Sequence, residues 1–497
     1  MGDRAGTRSG SERRSVSRQM VGLIVAAGIL VVGILLPTLP SLSVAEQRAL
    51  AVFLSTLVLW LTRPVPYVVS SLLSVALLFA LGVVDSFDVA ATGFTSTLVF
   101  FLLSLLLLGD AVTNVGLDRW LARRLLSAES TPSRTLQSVS GSVLALALVM
   151  PSAMARAVTF VPVVKRFAGT FEPDGDGEGG FERAAFLVLG HVNPIASMAL
   201  MTGGGMALVT SEIVTTTVEP ITWVDWAVLM VPPTMVLYAA AAVAAGHFAG
   251  IGSQTTVSAG DSTQLETADV GLPPSATGTE TPPAADVEKA SLTRDQRLVV
   301  LVLCGTIAGW VGGSFVGIPM VLPAVAAVTA LSMPSVGVIT TDDIAETSWG
   351  IIFLIGAMLS ILDALQATGA IELVIGVLTR LIPFAALTDW QLVAVLVGLA
   401  VGIRTLFSTG SAAIVVTLPI ILELAAAFEI NRLFLALTVL LVVGSTTILP
   451  FNTTAVLVSM DQGPLSNRDI ATFGLVTMAL AVVVAALSWM IYWPLVS

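Results

Sequence analysis

Cysteine is almost absent from this chain. The one residue present, Cys304, excludes a disulfide framework and a thiolate metal site, and reads as a small apolar residue within a helix. Charge is scarce as well: 11% of the 497 residues are charged, where a soluble domain carries roughly a quarter. Lysine occurs only at positions 165 and 289, and no basic patch of the kind that marks a nucleic-acid surface is found. The two histidines, His191 and His247, stand in no His–Glu–x–x–His pattern and have no cysteine partners, so no transition-metal site is expected.

Apolar residues fill the space that charge leaves. They make up 56% of the chain, more than a soluble protein of this size could hide, so lipid must be the solvent for most of it. The runs Val21–Leu39, Tyr67–Val84 and Ala471–Tyr492 approach the roughly 20 residues that cross a bilayer as a helix. The first run lacks a small-residue cleavage site and reads as a retained helix rather than a signal peptide. The net charge is −11, and the acids gather in water-facing stretches such as Glu172-Pro-Asp-Gly-Asp-Gly-Glu178. Acidic, lysine-poor loops suit a high-salt cytoplasm and hence a halophilic source.

Residues 1–19 carry Arg4, Arg8, Arg13, Arg14 and Arg18 against Asp3 and Glu12, which makes them a cytoplasmic tail by the positive-inside rule. Helices are expected at 20–38, 47–62, 65–84 and 96–115. The stretch 117–134 is basic and amphipathic, and reads either as an interfacial helix with Trp120 at headgroup level or as an ordinary basic loop. Residues 251–295 are rich in Ser, Thr, Pro, Gly and Ala; such a segment cannot bury enough surface to order itself and is expected to be a linker. It separates two apolar halves, 20–250 and 296–497.

The halves repeat. Thr95, Phe100, Asp110 and Gly116 match Ser348, Phe353, Asp363 and Gly369 at one constant spacing. Further on, Pro162 matches Pro419, and Ser197, Ala207 and Ser211 match Ser445, Ala455 and Ser459. The segment after Gly116 is basic and the one after Gly369 is nearly neutral. If the basic copy lies inside and the neutral copy outside, the repeats are inverted, a recurring plan of secondary transporters whose sites lie near the midplane.

In each half, two apolar segments are interrupted by small polar residues. They are Met150-Pro-Ser-Ala-Met-Ala-Arg156 and Asn193–Gly205 in the first, and Phe407-Ser-Thr-Gly-Ser411 and Gly444–Thr454 in the second. Proline and clustered glycine break the helical hydrogen-bond ladder. Broken backbone at membrane depth survives only inside protein or beside a water-filled cavity. Its free N–H groups attract anions, and its carbonyls and hydroxyls suit a small hard cation. Arg156 and Arg404 lie in apolar surroundings, where an ionised guanidinium costs at least about 2.5–3.5 kcal/mol. Each either lends positive potential to an anion site or has a structural role; for Arg156 that role would be a pair with an acid such as Asp110, or snorkelling to the interface. Asp110 and Asp363 read as helix-end caps or structural pairs.

At these segments the chain resembles the divalent anion:sodium symporter family, within the wider ion transporter superfamily. Trp60-Leu-Thr-Arg-Pro-Val-Pro-Tyr67 resembles that family's Trp-Leu-Thr-Glu-x-x-Pro stretch, and Ser348-Trp-Gly-Ile-Ile-Phe-Leu-Ile-Gly-Ala357 resembles its glycine-rich run. The family carries a Ser-Asn-Thr triplet eight residues before a proline at the tip of each of two re-entrant hairpins. Here those positions read Ser152-Ala153-Met154 before Pro162 and Thr409-Gly410-Ser411 before Pro419. Both asparagines are missing and Met154 replaces a hydroxyl, so the second tip keeps the better ion site. The Pro-Ser-Ala-Met-Ala-Arg form is closer to the dicarboxylate and citrate translocators.

The resemblance implies an all-α polytopic membrane protein of about 11 transmembrane helices plus two re-entrant hairpins, near 137–167 and 390–425, in inverted repeats. It implies a homodimer in the cell membrane, with cytoplasmic N-terminus and linker, an external C-terminus, and scaffold and elevator-type transport domains. The function implied is sodium-coupled symport of a small di- or tricarboxylate or sulfate, with no cofactor and no enzyme activity. Substrate contacts are expected at Ser152, Ala153, Met154, Arg156, Thr409, Gly410, Ser411, Pro450, Asn452 and Thr453. Sodium contacts are expected at Ser152, Thr202, Gly203, Gly204, Ser408, Thr409, Ser411, Ser445 and Thr446. Two other readings are open. One is a proton-coupled or exchanging antiporter of the same superfamily. The other is an intramembrane aspartyl protease using Asp110 and Asp363, although Leu362-Asp363 and Leu107-Leu-Gly-Asp110 lack that enzyme's Tyr-Asp and Gly-x-Gly-Asp.

Overall fold

A computed structural model describes residues 5–37, 42–125, 131–148, 150–171, 180–251, 292–382 and 384–496. Most of the expected linker, and the acidic stretch 172–178, lie outside these residues. The chain is an all-helical polytopic membrane protein, 82% helix, with no strand among the described residues. Eight described helices are long and apolar enough to cross a membrane, and shorter apolar ones accompany them. Large apolar side chains point outward: on helix Arg294–Val316, Leu301 is 73% and Phe315 76% exposed, a surface suited to lipid rather than water.

Local sequence chemistry sets the helix ends. Ser43 with Glu46, Thr222 with Asp225, Thr293 with Gln296 and Ser466 with Asp469 form capping boxes, each satisfying amides at a helix start. Gly116 and Gly369, the matched glycines of the two repeats, both adopt a left-handed conformation, with φ of 65° and 80°. An amphipathic helix follows each of them, Leu117–Leu125 and Ala370–Leu381. The first settles 117–125 as helix rather than loop. At the N-terminus the expected boundary moves: one helix runs from Ala5 to Leu35, so the tail is helical well before residue 20. Arg, Gln and Glu are good helix formers and extend a helix that the apolar run has already nucleated.

The chain divides into two compact units, and each draws on both sequence halves. One comprises Met1–Leu103, Thr347–Leu396 and Val415–Ile430. Its central helix, Trp349–Thr368, packs against Val44–Thr62, Tyr67–Ala80 and the tight turn Thr92–Thr95. There the Gly93 amide donates to Ser360 Oγ at 3.0 Å, and the Thr92 hydroxyl donates to Asp363 at 3.1 Å. Asp363 thus has a structural partner.

The other unit comprises Ser104–Glu346, Val397–Ile414 and Asn431–Ser497. It contains an antiparallel hairpin of helices Pro132–Leu146 and Ala153–Phe171, which begins earlier than position 137 because Thr131 caps its first arm. It also contains the tip of a second hairpin, between helices Asp389–Leu406 and Gly410–Ala427. The interrupted run Gly180–Thr217 and helices Arg432–Ser445, Thr454–Gln462 and Asn467–Leu487 complete it.

A methyl group on Gly93 would run into the Gly356 carbonyl and the Ser360 amide. Gly93→Ala is therefore expected to cost about 1–3 kcal/mol of overpacking, read as a lower thermal unfolding midpoint in detergent. An unchanged midpoint would show that the turn and the helix are free to separate.

Candidate functional site

The two arms of the first hairpin differ in length. Its first arm has 15 residues, and at 1.5 Å per residue it is roughly 22 Å long, against a hydrocarbon core of about 30 Å. The chain then turns, and Ser152 Oγ accepts from the Ala155 amide at 3.2 Å to start the second arm. A turn made here releases carbonyls from the helical ladder.

Arg156 collects them. It is fully buried, and all three of its nitrogens donate. Nε binds Asn193 Oδ1 at 2.7 Å, Nη1 the Met150 carbonyl, and Nη2 the Asn193 carbonyl at 3.1 Å and Ser197 Oγ at 2.7 Å. Asn193 answers with its amide, donating to the Ala153 carbonyl at 2.7 Å. The tip of the hairpin is thus riveted to the broken helix opposite. Gly203 and Gly204 come so close to Ser197 that a Cβ at either would press on it.

The second tip repeats the solution with other residues. Arg404 is 1% exposed; its Nη1 donates to the Phe407 carbonyl at 2.9 Å and its Nη2 to the Asn452 carbonyl at 2.8 Å. Asn452, also buried, donates to the Phe407 carbonyl at 2.9 Å and accepts from the Leu449 amide at 2.9 Å. Neither arginine has a carboxylate partner among the described residues. The negative ends of interrupted helices balance both guanidinium charges.

The interrupted segments of the two halves also meet. Met198 packs on Gly444 and Met206 on Gly410, each so closely that a Cβ on the glycine would collide with the thioether. Two hairpin tips, each tied to an opposing break and joined across the halves, are parts that an ion transporter needs.

The comparison with known proteins decides the family. Residues 17–497 match the sodium:sulfate symporter transmembrane region. The chain belongs to that family. Its members are transporters and not enzymes, which removes the aspartyl protease reading. A protein of Cupriavidus necator, named only as a membrane protein, is 23% identical over 496 residues, covering 95% of this chain and 92% of that one. As a symporter-family member the chain is a secondary transporter, with a small anion as its substrate class and the bilayer as its setting.

On this family frame the expected residues fall into three groups. Ser152 and Met154 are exposed at the first tip and line a cavity of about 350 Å³, and Ala153 is half-buried beside them. At the second tip Ser408, Thr409 and Gly410 are half-buried and Ser411 is buried. Ser445 Oγ is buried without a hydrogen-bond partner at the end of its helix, while the Thr446 hydroxyl donates to the Val442 carbonyl at 2.7 Å. Thr202 Oγ1 accepts from Trp223 Nε1 at 3.5 Å, Pro450 opens a tight turn, and Thr453 caps the helix after it.

Arg156 and Asn452 behave otherwise than expected. Four of the five N–H donors of Arg156, and the side-chain amide of Asn452, are engaged inside the protein, so both hold the tips together. The suggested Arg156–Asp110 pair does not form. Sequence reasoning placed Asn193 and Ser197 in an interrupted segment without giving either a role, and it passed over Met198 and Met206. An arginine in an apolar segment was the signal that polar partners must exist.

Asn193→Ala removes the principal acceptor of a buried guanidinium. A hydrogen bond to a charged group is worth about 1.5–3 kcal/mol, and the expected loss of stability is at least that large. Thermal unfolding of the variant should show it, and Arg156→Lys should fail to restore the wild-type midpoint because an ammonium cannot span the same acceptors.

Proposed function

We propose that this chain is a sodium-coupled symporter of sulfate or a small di- or tricarboxylate. The observation that carries this reading is the meeting of two hairpin tips and two interrupted helices in one compact unit. Helix N-termini there suit the anion. The hydroxyls of Thr409, Ser411 and Ser445, with carbonyls freed by the breaks, suit sodium. The partnerless Ser445 hydroxyl is the strongest single pointer to a cation ligand, because a buried polar group without a partner costs about 1–3 kcal/mol. The second tip is the principal sodium site, since the first has lost a hydroxyl to Met154. Two inverted repeats of about 11 spanning helices with both hairpins re-entrant, a homodimer in the plasma membrane, and a cytoplasmic N-terminus complete the proposal.

Proteoliposomes containing the full chain test it, with labelled sulfate, succinate and citrate supplied with and without an inward sodium gradient. Accumulation of one of these anions only with the gradient is the expected result. Thr409→Ala and Ser411→Ala should each raise the sodium concentration for half-maximal uptake about tenfold, the equivalent of ~1.4 kcal/mol per lost ligand. Unaltered sodium dependence in both variants would remove the second tip from the ion site.

A further inference from the structure

Helices Pro132–Leu146 and Trp223–Phe248 pack side by side, and a slot of about 450 Å³ runs between them. They lie antiparallel along it, Gly246 against Leu136 and Tyr238 against Ser140. The buried Tyr238 hydroxyl donates to the Ser140 carbonyl at 2.7 Å and closes the inner end. Ser133, Gln137 and His247, all exposed, form the mouth, where one helix starts and the other ends. Ala239, Ala242 and Val243 line the wall between. Val243 is 57% exposed, so the slot is open along its side.

The dimensions match half a bilayer. Trp223–Phe248 is long and apolar enough to cross a membrane, and His247 is one residue from its end, at the depth of the headgroups. Tyr238 lies nine positions earlier in the sequence, roughly 13 Å along the helix, against about 15 Å for the hydrocarbon of one leaflet.

The chemistry changes along the slot. Its wall is apolar, as an acyl chain requires. Its mouth carries donors: the Gln137 amide has two N–H groups and the Ser133 hydroxyl one. The Gln137 side chain makes no hydrogen bond among the described residues, and an amide at a lipid-facing surface is costly unless something accepts from it.

The charge at this end is positive in a chain whose net charge is −11. Arg134, next to Ser133, is exposed. The second arm of the hairpin returns to the same end, bringing the exposed Lys165 and Arg166. The neighbouring helix Gly180–Leu187 adds one acid and one base, Glu182 and Arg183, and Arg183 is paired with Asp469. An anionic headgroup is the complement of this surface.

We infer that the slot holds one anionic phospholipid, with an acyl chain along the wall and the phosphate at the mouth. The Gln137 amide and the Ser133 hydroxyl donate to the phosphate, and Arg134 supplies charge beside it. The lipid braces the first arm of the hairpin against the helix Trp223–Phe248. The inference depends on the membrane setting alone and on neither the substrate nor the coupling ion.

Native mass spectrometry of the full chain, released from detergent containing either phosphatidylglycerol or phosphatidylcholine with the same acyl chains, tests it. Wild type should retain one phosphatidylglycerol per chain under conditions that strip phosphatidylcholine. Val243→Trp places an indole in the slot from an exposed position; it should lose the bound lipid while keeping the unfolding midpoint measured without added lipid. Arg134→Gln should cut the preference for phosphatidylglycerol about fivefold, the equivalent of ~1 kcal/mol for one arginine at a charged surface. If V243W does not fold, Gln137→Leu takes its place and should weaken phosphatidylglycerol retention by removing the donors at the mouth. Retention of neither lipid or of both equally by wild type overturns the inference. So does wild-type retention in V243W, or in Q137L where it stands in, and so does an unchanged preference in R134Q. None of these outcomes touches the symporter reading, which the uptake experiment tests separately.

Discussion

The constraint on which this structure depends is that every backbone polar group at membrane depth must find its partner inside the protein. Unbroken helices meet it without help. This chain breaks helices on purpose, and each break frees carbonyls that lipid cannot satisfy. Arg156 and Arg404 supply the missing donors, and Asn193 and Asn452 link each guanidinium to the turn. A charged group that would be expensive alone becomes the cheapest way to close a gap between helix ends. The arrangement replaces a salt bridge with a charge among oriented dipoles, so no acid has to be buried beside it.

That exchange has a chemical benefit. With no carboxylate paired to Arg156 or Arg404 among the described residues, each tip holds a positive charge among neutral oxygens. Anion and cation can be accommodated close together in such a place. The two methionine–glycine contacts add a seam without directional bonds between the breaks of the two halves. A thioether is polarisable and adapts to small shifts, which suits a joint between parts of a transporter.

Much of this was legible in the sequence because it is local. Capping residues, left-handed glycines and helix-breaking prolines act within a few positions of themselves, and Gly116, Gly369 and the turns before Pro162 and Pro419 stand where their spacing placed them. The partners of Arg156 were not legible, since Asn193 is 37 residues away and only the packed fold selects it over Asp110. Asp118, buried beside Thr159, was hidden by its neighbours: in a basic amphipathic stretch an acid looks like a surface residue, and its burial depends on a hairpin that follows later in the chain. The early start of the first helix escaped notice for the opposite reason, because a polar sequence hides a helix that an adjoining apolar one propagates.

The rivets have a mechanical consequence. A tip that swung open like a flap would break a guanidinium's bonds to several carbonyls at once. Each tip must then travel with the broken helix it grips, as one stiff piece. On the symporter reading proposed above, access to the site comes from displacing that whole piece rather than from loosening a loop.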